Sequence, residues 1–330
     1  MTNDFEADFS DLRNINQYEE YGRFQQHLVL LEDEVRLTHY YRAIQNANVG
    51  DVVVDVGAGT GILTLMSLKK GFTSAYVIEP SKKISSYAKY LFSKNRVTDK
   101  VRIINKTLES ILKEALPEKI DLIVTETISS VIFGFGCWDH FESLVSKLSI
   151  QGTMIPCRGK LLGFLANRDY SSRSNKNSGL RFLNEINIDI DLYNRTFRSG
   201  GNIFDSTNIN YEISIGLHQI FEIASFDIRS IPFINMKGEQ IHSTSSEIFT
   251  GIVLFWEITL DEKKPWLVFS SRDPNLTSWN PLYVPFKEDY HLAYGEIFNI
   301  QMSLLSIDSP YPYAISFCDR GKVLTQNLFW

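Results

Sequence analysis

The chain has 330 residues, with 33 basic and 39 acidic side chains and a formal net charge of −6 at pH 7. This length allows two domains and a substantial hydrophobic core. The acidic balance and the lack of a long basic run argue against a nucleic-acid-binding protein, because such proteins cluster lysine and arginine.

Membrane, export and metal signals are weak in this sequence. No apolar run approaches the roughly 18 residues that a transmembrane helix needs. The N-terminus is acidic and polar, unlike a signal peptide. The cysteines, Cys137, Cys157 and Cys318, form no C-x-x-C pair and have no histidine at metal-ligand spacing. We therefore expect a cytoplasmic protein with reduced thiols, no membrane contact and no bound metal.

The first predicted elements are a helical segment and a glycine-rich turn. Residues 18–43 are largely helical in pattern, and an apolar strand at 52–56 then leads into Gly57, Gly59 and Gly61. A dinucleotide fingerprint needs its third glycine one residue later, where Ile62 stands, and a phosphate loop would end in lysine. Because glycine has no Cβ, the backbone of this turn can approach a ligand closely. A ligand that carries no phosphate, such as S-adenosylmethionine, fits this pattern. A tight turn can also need glycine for steric reasons alone.

Three more apolar strands follow at intervals of about 25 residues, and each precedes an acid. The predicted strands are 74–78 before Glu79, 101–104 before Glu109, and 120–124 before Glu126. Alternation with helices predicts a parallel, doubly wound sheet. Ligands of such sheets lie beyond the carboxyl ends of the strands, so we expect these acids to converge with the glycine turn. Glu79 is placed to accept hydrogen bonds from both ribose hydroxyls.

After about residue 154 the pattern becomes strand-rich, with short polar breaks between strands. The clearest strands are 161–165, 252–258 and 297–305. This pattern is typical of an antiparallel sandwich or barrel. The predicted fold class is therefore α/β: a Rossmann-like domain over 46–153, then a β-barrel-like domain over 154–330.

Several short segments match, in order, the motifs of one family. They are the first-helix positions Tyr21, Phe24, His27, Leu31, Asp33 and Arg36, the glycine motif Asp55–Leu63, Glu79, Leu108–Ser110, Thr125–Ser129, Gly152–Pro156 and Thr277–Trp279. Through these segments the chain resembles the protein arginine methyltransferases over nearly its whole length. The resemblance implies a class I S-adenosylmethionine-dependent methyltransferase domain, completed by a helical segment at 1–45.

The resemblance also implies roles for individual residues at the cofactor. Arg36 would pair with the methionine carboxylate, a bidentate task that suits guanidinium, and Glu109 would accept from the adenine amino group. The implied cofactor-binding residues are Tyr21, Phe24, His27, Arg36, Asp55, Gly57, Gly59, Gly61, Leu63, Glu79, Leu108, Glu109 and Glu126. Taken alone, Arg36 is also compatible with a surface helix charge, and Glu109 with a solvated loop acid.

On the acceptor side the sequence departs from the family. Members hold a guanidinium between two glutamates, because a protonated arginine is a poor nucleophile. Glu126 matches the first glutamate, but Phe135 stands at the second, and Ser278 replaces a histidine whose partner acid is matched by Asp33. The resemblance thus implies Glu126 and Asp33 as catalytic residues. The implied substrate pocket comprises Phe135, Trp138, Ser278 and Trp279.

Three functions remain open at this point. We predict an N-methyltransferase with a non-standard pocket, acting on a nitrogen of a peptide side chain, a protein or a related small molecule. One acid suffices for a neutral imidazole, whose lone pair is available near pH 7. The alternatives are a true protein arginine methyltransferase, with Asp139 or Glu142 as the second acid, and an inert regulatory homologue that binds an active partner. The resemblance further implies a homodimer formed through an arm near 180–208.

Overall fold

The chain forms two compact units, each built from discontinuous segments. Unit 1 comprises Met1–Thr127, Glu142–Pro156 and Leu260–Leu267, and unit 2 comprises Ile128–Phe141, Cys157–Thr259 and Val268–Trp330. The computed structural model describes residues 24–128, 143–144, 146–148, 150–167, 220–230, 234–236, 239–242, 246–265, 268–273, 275, 279, 281–303, 314–319, 322–324 and 328–329.

Unit 1 contains a parallel five-stranded sheet with the strand order β3-β2-β1-β4-β5. Its strands are β1 (Val52–Val56), β2 (Ser74–Ile78), β3 (Val101–Ile104), β4 (Ile120–Thr125) and β5 (Ile150–Ile155). Its described helices are α1 (Phe24–Glu32), α2 (Glu34–Asn46), α3 (Ile62–Lys70) and α4 (Lys82–Lys94). The predicted parallel sheet is confirmed.

The central strands of this sheet form the core of unit 1. Val54 of β1 lies between Tyr76 of β2 and Ile123 of β4 in register. Val53, Val54 and Ile123 are fully buried. Near-continuous apolar runs of this kind are expected where both faces of a parallel sheet are covered. The order β2-β1-β4 brings the carboxyl ends of these three strands side by side, which places Glu79, Gly57 and Glu126 at one edge.

Unit 2 contains two antiparallel sheets. One has the order β11-β10-β6-β7-β8 with β12 also paired to β10, and the other has the order β15-β14-β13-β9 with β16 paired to β14. Its strands are β6 (Arg158–Ala166), β7 (Phe221–Asp227), β8 (Ile234–Met236), β9 (Glu239–His242), β10 (Glu247–Thr259), β11 (Val268–Ser270), β12 (Leu282–Leu292), β13 (Ile297–Ser303), β14 (Ala314–Asp319), β15 (Lys322–Val323) and β16 (Leu328–Phe329). The predicted antiparallel second half is confirmed.

The division into units differs in detail from the boundaries predicted from sequence. The predicted boundary at 153/154 lies inside β5, and the parallel sheet continues to Ile155. Residues 260–267 belong to unit 1, where Lys264 Nζ donates to Asn46 Oδ1 at 3.0 Å. The chain thus returns to unit 1 about 100 residues after leaving it at Pro156, and the local hydrophobic periodicity gives no sign of this return.

Some predictions concern residues outside the described ranges. They are Tyr21, the pocket residues Phe135, Trp138 and Ser278, the substitute acids Asp139 and Glu142, and the arm near 180–208. Within the described ranges, no helix combines the length and the apolar character that crossing a membrane requires.

Candidate functional site

The glycine turn joins β1 to α3 in a backbone conformation that is unfavourable for other residues. Gly57, Gly59 and Gly61 have φ values of 69°, 56° and 77°, in the left-handed region that costs L-residues free energy. A Cβ on Gly57 would lie 2.4 Å from Thr127 Cγ2, and one on Gly61 would lie 2.4 Å from Phe92 Cζ. Any other residue would therefore be strained at these positions whether or not a ligand approaches them.

Helix α1 reaches the same turn. A Cβ on Gly59 would lie 2.9 Å from Cε1 of His27 in the middle of α1. The predicted motif residue His27 is thus brought against the turn. Phe24 begins α1, and Leu63 is a buried residue of α3, the helix that follows the turn.

Asp55, near the end of β1, holds the two ends of the turn together through hydrogen bonds to α3. Its Oδ2 accepts from Thr64 Oγ1 at 2.6 Å and from the Thr64 backbone N–H at 3.0 Å. Burial raises the pKa of Asp55 to about 7, although the bonds from Thr64 act to lower it. The nearby charges of Glu79 and Glu126 contribute to this rise in the pKa. This carboxyl ties β1 to α3.

Glu79, directly after β2, is oriented by backbone groups. Its Oε2 accepts from Gly59 N–H at 2.9 Å and its Oε1 from Ser81 N–H at 2.8 Å. Burial raises its pKa, while these two backbone bonds act to lower it. The predicted convergence of this acid with the glycine turn is therefore present in the geometry.

Glu126, directly after β4, is held by Arg36 of α2. The Arg36 Nε donates to both carboxylate oxygens of Glu126 at 2.7 Å, and Nη2 donates to Oε2. The two side chains are 5% and 8% exposed. Burial acts to lower the pKa of Arg36, but the charge of Glu126 and its hydrogen bonds leave that pKa raised. Two residues predicted to bind different groups are bound to each other.

The remaining contacts of Arg36 fix its direction. Its Nη1 donates to the carbonyl of Leu30 at 2.9 Å, and its Cζ lies 5.8 Å from the centroid of the Tyr40 ring. Asp33 Oδ1 accepts from the Arg36 backbone N–H at 2.9 Å, so Asp33 caps the start of α2. This hydrogen bond is to its own helix, and the predicted catalytic role of Asp33 stays a prediction.

The adenine-side motif forms a short 3₁₀ turn at Leu108–Ser110, in which Leu108 is buried and Glu109 is exposed. Lys147 Nζ donates to the carbonyls of Leu108 at 3.0 Å, Glu109, and Ile111 at 3.1 Å. Sequence reasoning missed Lys147. A lone lysine almost forty positions away carries no local signal of such a contact.

Of the predicted substrate pocket, the structure describes Trp279 in unit 2. It is half-buried, and its ring contacts Trp256 edge-to-face with centroids 5.8 Å apart. The Nε1 atoms of both rings are buried and have no hydrogen-bond partner. In the part of the chain that the structure describes, no group of three or more His, Cys, Asp or Glu side chains is arranged to hold a metal.

Sequence comparisons give methyltransferases. A family model described as ribosomal protein L11 methyltransferase (PrmA) matches residues 37–155. The probable histone-arginine methyltransferase CARMER of Drosophila melanogaster is 29% identical over 287 residues, covering 78% of this chain and 50% of that protein. The CARMER protein of Anopheles gambiae is 34% identical over 145 residues, covering 43% and 22%. The chain thus spans about half the length, or less, of these curated relatives.

Structure comparisons give protein arginine methyltransferases. Arabidopsis thaliana protein arginine methyltransferase 10 has a TM-score of 0.65 at 17% identity, covering 94% of this chain and 97% of that one. The Trypanosoma brucei PRMT1 enzyme–prozyme heterotetrameric complex with AdoHcy has a TM-score of 0.70 at 17% identity, covering 93% and 98%. By fold and by sequence similarity, the chain is protein-arginine-methyltransferase-like, with a class I methyltransferase fold in unit 1.

Proposed function

We propose that this chain transfers a methyl group from S-adenosylmethionine to a nitrogen of a peptide side chain or a related small molecule. The observation that carries the proposal is the buried Arg36–Glu126 pair at the end of β4, one strand from the glycine turn. The similarity to histone-arginine methyltransferases and to a structure solved with AdoHcy supports the same activity.

Glu79 is prepared to hold the ribose. Each of its carboxylate oxygens takes one backbone N–H and keeps a further lone pair for a ribose hydroxyl. Because the acid is already oriented, ribose binding costs little further ordering of the side chain. Glu79 and the adjacent turn therefore form the ribose end of the proposed site.

Arg36 is prepared to join the cofactor to the acceptor. Its described bonds use three of its five N–H groups, one on each nitrogen, which leaves two for the methionine carboxylate. A guanidinium that bonds both Glu126 and the methionine carboxylate would hold the methionine end of the cofactor next to Glu126. Methyl transfer depends chiefly on such positioning, with sulfur, methyl and nitrogen in line.

The pairing of Glu126 with Arg36 bears on the class of acceptor. A carboxylate that shares its charge with a guanidinium attracts a second cation less strongly than a free carboxylate does. This favours a neutral or weakly basic nitrogen over a protonated arginine, unless Asp139 or Glu142 supplies a second acid. The proposed acceptor pocket is therefore non-standard.

Isothermal titration and a methyl-transfer assay test the proposal. We expect both S-adenosylmethionine and S-adenosylhomocysteine to bind, and tritium from the methyl donor to appear in imidazole or amine acceptors. Transfer to an arginine-rich peptide alone would select the true arginine enzyme. Binding without transfer to any acceptor class would select the regulatory homologue, and no heat at millimolar cofactor would overturn both enzyme functions.

We also propose that the chain forms a homodimer. Tyr87 and Tyr90 lie three residues apart on α4 and are 37% and 60% exposed, and aromatic side chains are enriched at protein interfaces. Sedimentation velocity should give a mass near twice 37.9 kDa. If the dimer uses this surface, a Tyr87→Glu, Tyr90→Glu double variant should sediment as a monomer. A monomeric parent chain would contradict the proposal.

A further inference from the structure

We propose that Lys147 is a positioning residue that holds the Leu108–Ser110 turn and thereby sets the selectivity of the site for adenine. This inference rests on the proposed function, because it assigns the exposed Glu109 of that turn to the adenine amino group. It concerns a residue that lies outside every motif discussed above.

The contacts of Lys147 converge on a single turn. Its ammonium has three N–H donors, and it makes three hydrogen bonds, to the carbonyls of Leu108, Glu109 and Ile111. Carbonyls at the end of a helical turn carry partial negative charge, so a cation there is favourable, although the Leu108 carbonyl also accepts from Ile111 N–H. The positive charge of Lys147 is thus used to fix backbone.

The hydrogen bonds within this turn are local. They include Ser110 N–H to Thr107 O at 3.1 Å, Ile111 N–H to Leu108 O at 3.2 Å, and Ser110 Oγ–H to Thr107 O at 2.9 Å. Leu108 and Ile111 are buried, but Glu109, Ser110 and Leu112 are exposed. A short segment with exposed positions and mainly local hydrogen bonds opens more readily than a packed helix. Three charge-assisted bonds from one side chain are therefore a large part of what holds it.

The position of this backbone decides what Glu109 can recognise. A hydrogen bond weakens steeply once its distance or angle departs from the ordinary range. A carboxylate on a mobile turn would still attract cations, but it would not select an amino group over a keto oxygen. Selection of adenine over hypoxanthine requires the turn to be held.

The first test measures the turn itself, in the chain without ligand. In Lys147→Met, hydrogen exchange at the Ser110 and Ile111 amides should accelerate at least about tenfold, while the amide of Asn95 in the cap of α4 keeps its rate. The matched control is Lys264→Met, which removes a lysine bonded to Asn46 in the same unit. Unchanged exchange at Ser110 and Ile111 would overturn the positioning role.

The second test measures selectivity as a ratio of dissociation constants. The unaltered chain should bind S-adenosylhomocysteine at least about tenfold more tightly than S-inosylhomocysteine, which has a keto oxygen in place of the amino group. In Lys147→Met this ratio should fall below about threefold, with Lys147→Arg intermediate because its fork is planar. A general loss of folded protein would weaken the binding of both ligands equally and leave the ratio of their dissociation constants unchanged.

The outcomes separate this inference from the function beneath it. If neither compound binds the unaltered chain, the proposed function fails and adenine selectivity with it. If both bind but the ratio survives in Lys147→Met, the inference alone is overturned. A fall in the ratio with Lys264→Met as well would show that any lost lysine has this effect, which also overturns it.

Discussion

The ribose end and the acceptor end of the proposed site each rely on one acid, but the two acids are held in opposite ways. Glu79 follows β2 and is held by the backbone N–H groups of Gly59 and Ser81. Glu126 follows β4, two strands away, and is held by the side chain of Arg36. One acid is therefore fixed by the main chain, and the other by a partner that can rotate.

The difference teaches which end can respond to a ligand. Backbone donors at a turn cannot move away without unfolding it, so Glu79 presents one geometry to every ligand. Arg36 can redistribute its donors between Glu126 and an incoming carboxylate. We expect changes at the acceptor end to alter chemistry or stability, and changes at the ribose end to alter affinity alone.

The largest effect is expected for Arg36→Met, which leaves Glu126 buried without its cation. Breaking a buried pair from one side costs about 3–5 kcal/mol, measurable as a lower urea midpoint. Adding Glu126→Gln should recover most of this loss, because no uncompensated charge then remains. A single variant that costs under about 1 kcal/mol would mean that the pair is not closed in solution.

Glu126→Gln is expected to separate the two ends most clearly. Turnover should fall at least about 100-fold, the low end for a lost acid–base group. Affinity for S-adenosylhomocysteine should stay equal or rise, because Arg36 is released toward the methionine carboxylate. Glu222→Gln, which removes an acid paired with Lys160 in unit 2, is the matched control and should change neither. Retained turnover in Glu126→Gln would make this acid structural.

Glu79→Gln should produce the complementary result. The dissociation constant for S-adenosylhomocysteine should rise at least about tenfold, because glutamine has one acceptor oxygen where Glu79 uses two, and its amide group also faces a backbone N–H. Turnover at saturating cofactor should stay within about threefold, because the ribose contact is equal in ground and transition states. If turnover falls as far as in Glu126→Gln, the contrast between the two ends does not hold.

The smallest effect is expected for Asp33→Asn. Asparagine caps helices about as well as aspartate, so stability should change by less than about 0.5 kcal/mol, whereas Asp33→Ala should lose about 1 kcal/mol. Thermal melts of both variants measure this. A large loss of turnover in Asp33→Asn at full stability would instead support the catalytic role predicted from sequence.

The sequence predicted what depends on local pattern. Strand positions follow from short apolar runs, and Glu79 and Glu126 were located because they directly follow such runs. The break between α1 and α2 at Asp33 was missed within a stretch predicted as largely helical. Its signal was available, since aspartate before a helical run is a common N-cap.

Side-chain partners could not be predicted in the same way. Arg36 and Glu126 are 90 residues apart in the sequence. Both are predicted to contact ligands, because a sequence motif shows which residues are present but not which side chains pair when no ligand is bound. Lys147 contacts carbonyls 36 to 39 residues away. Such contacts depend on how the elements pack, which local periodicity does not contain.

The glycine turn has a consequence for how homologues of this chain should be compared. Thr127 and Phe92 leave no room for a Cβ at Gly57 and Gly61, and positive φ angles disfavour any other residue there. A descendant that had lost all activity would therefore still be selected to keep these glycines, since any other residue strains the turn. The presence of these glycines is therefore evidence of the fold and not of methyl-transfer activity. A lineage that has stopped transferring methyl groups should instead lose Arg36 and Glu126 together, because replacing both leaves no uncompensated buried charge.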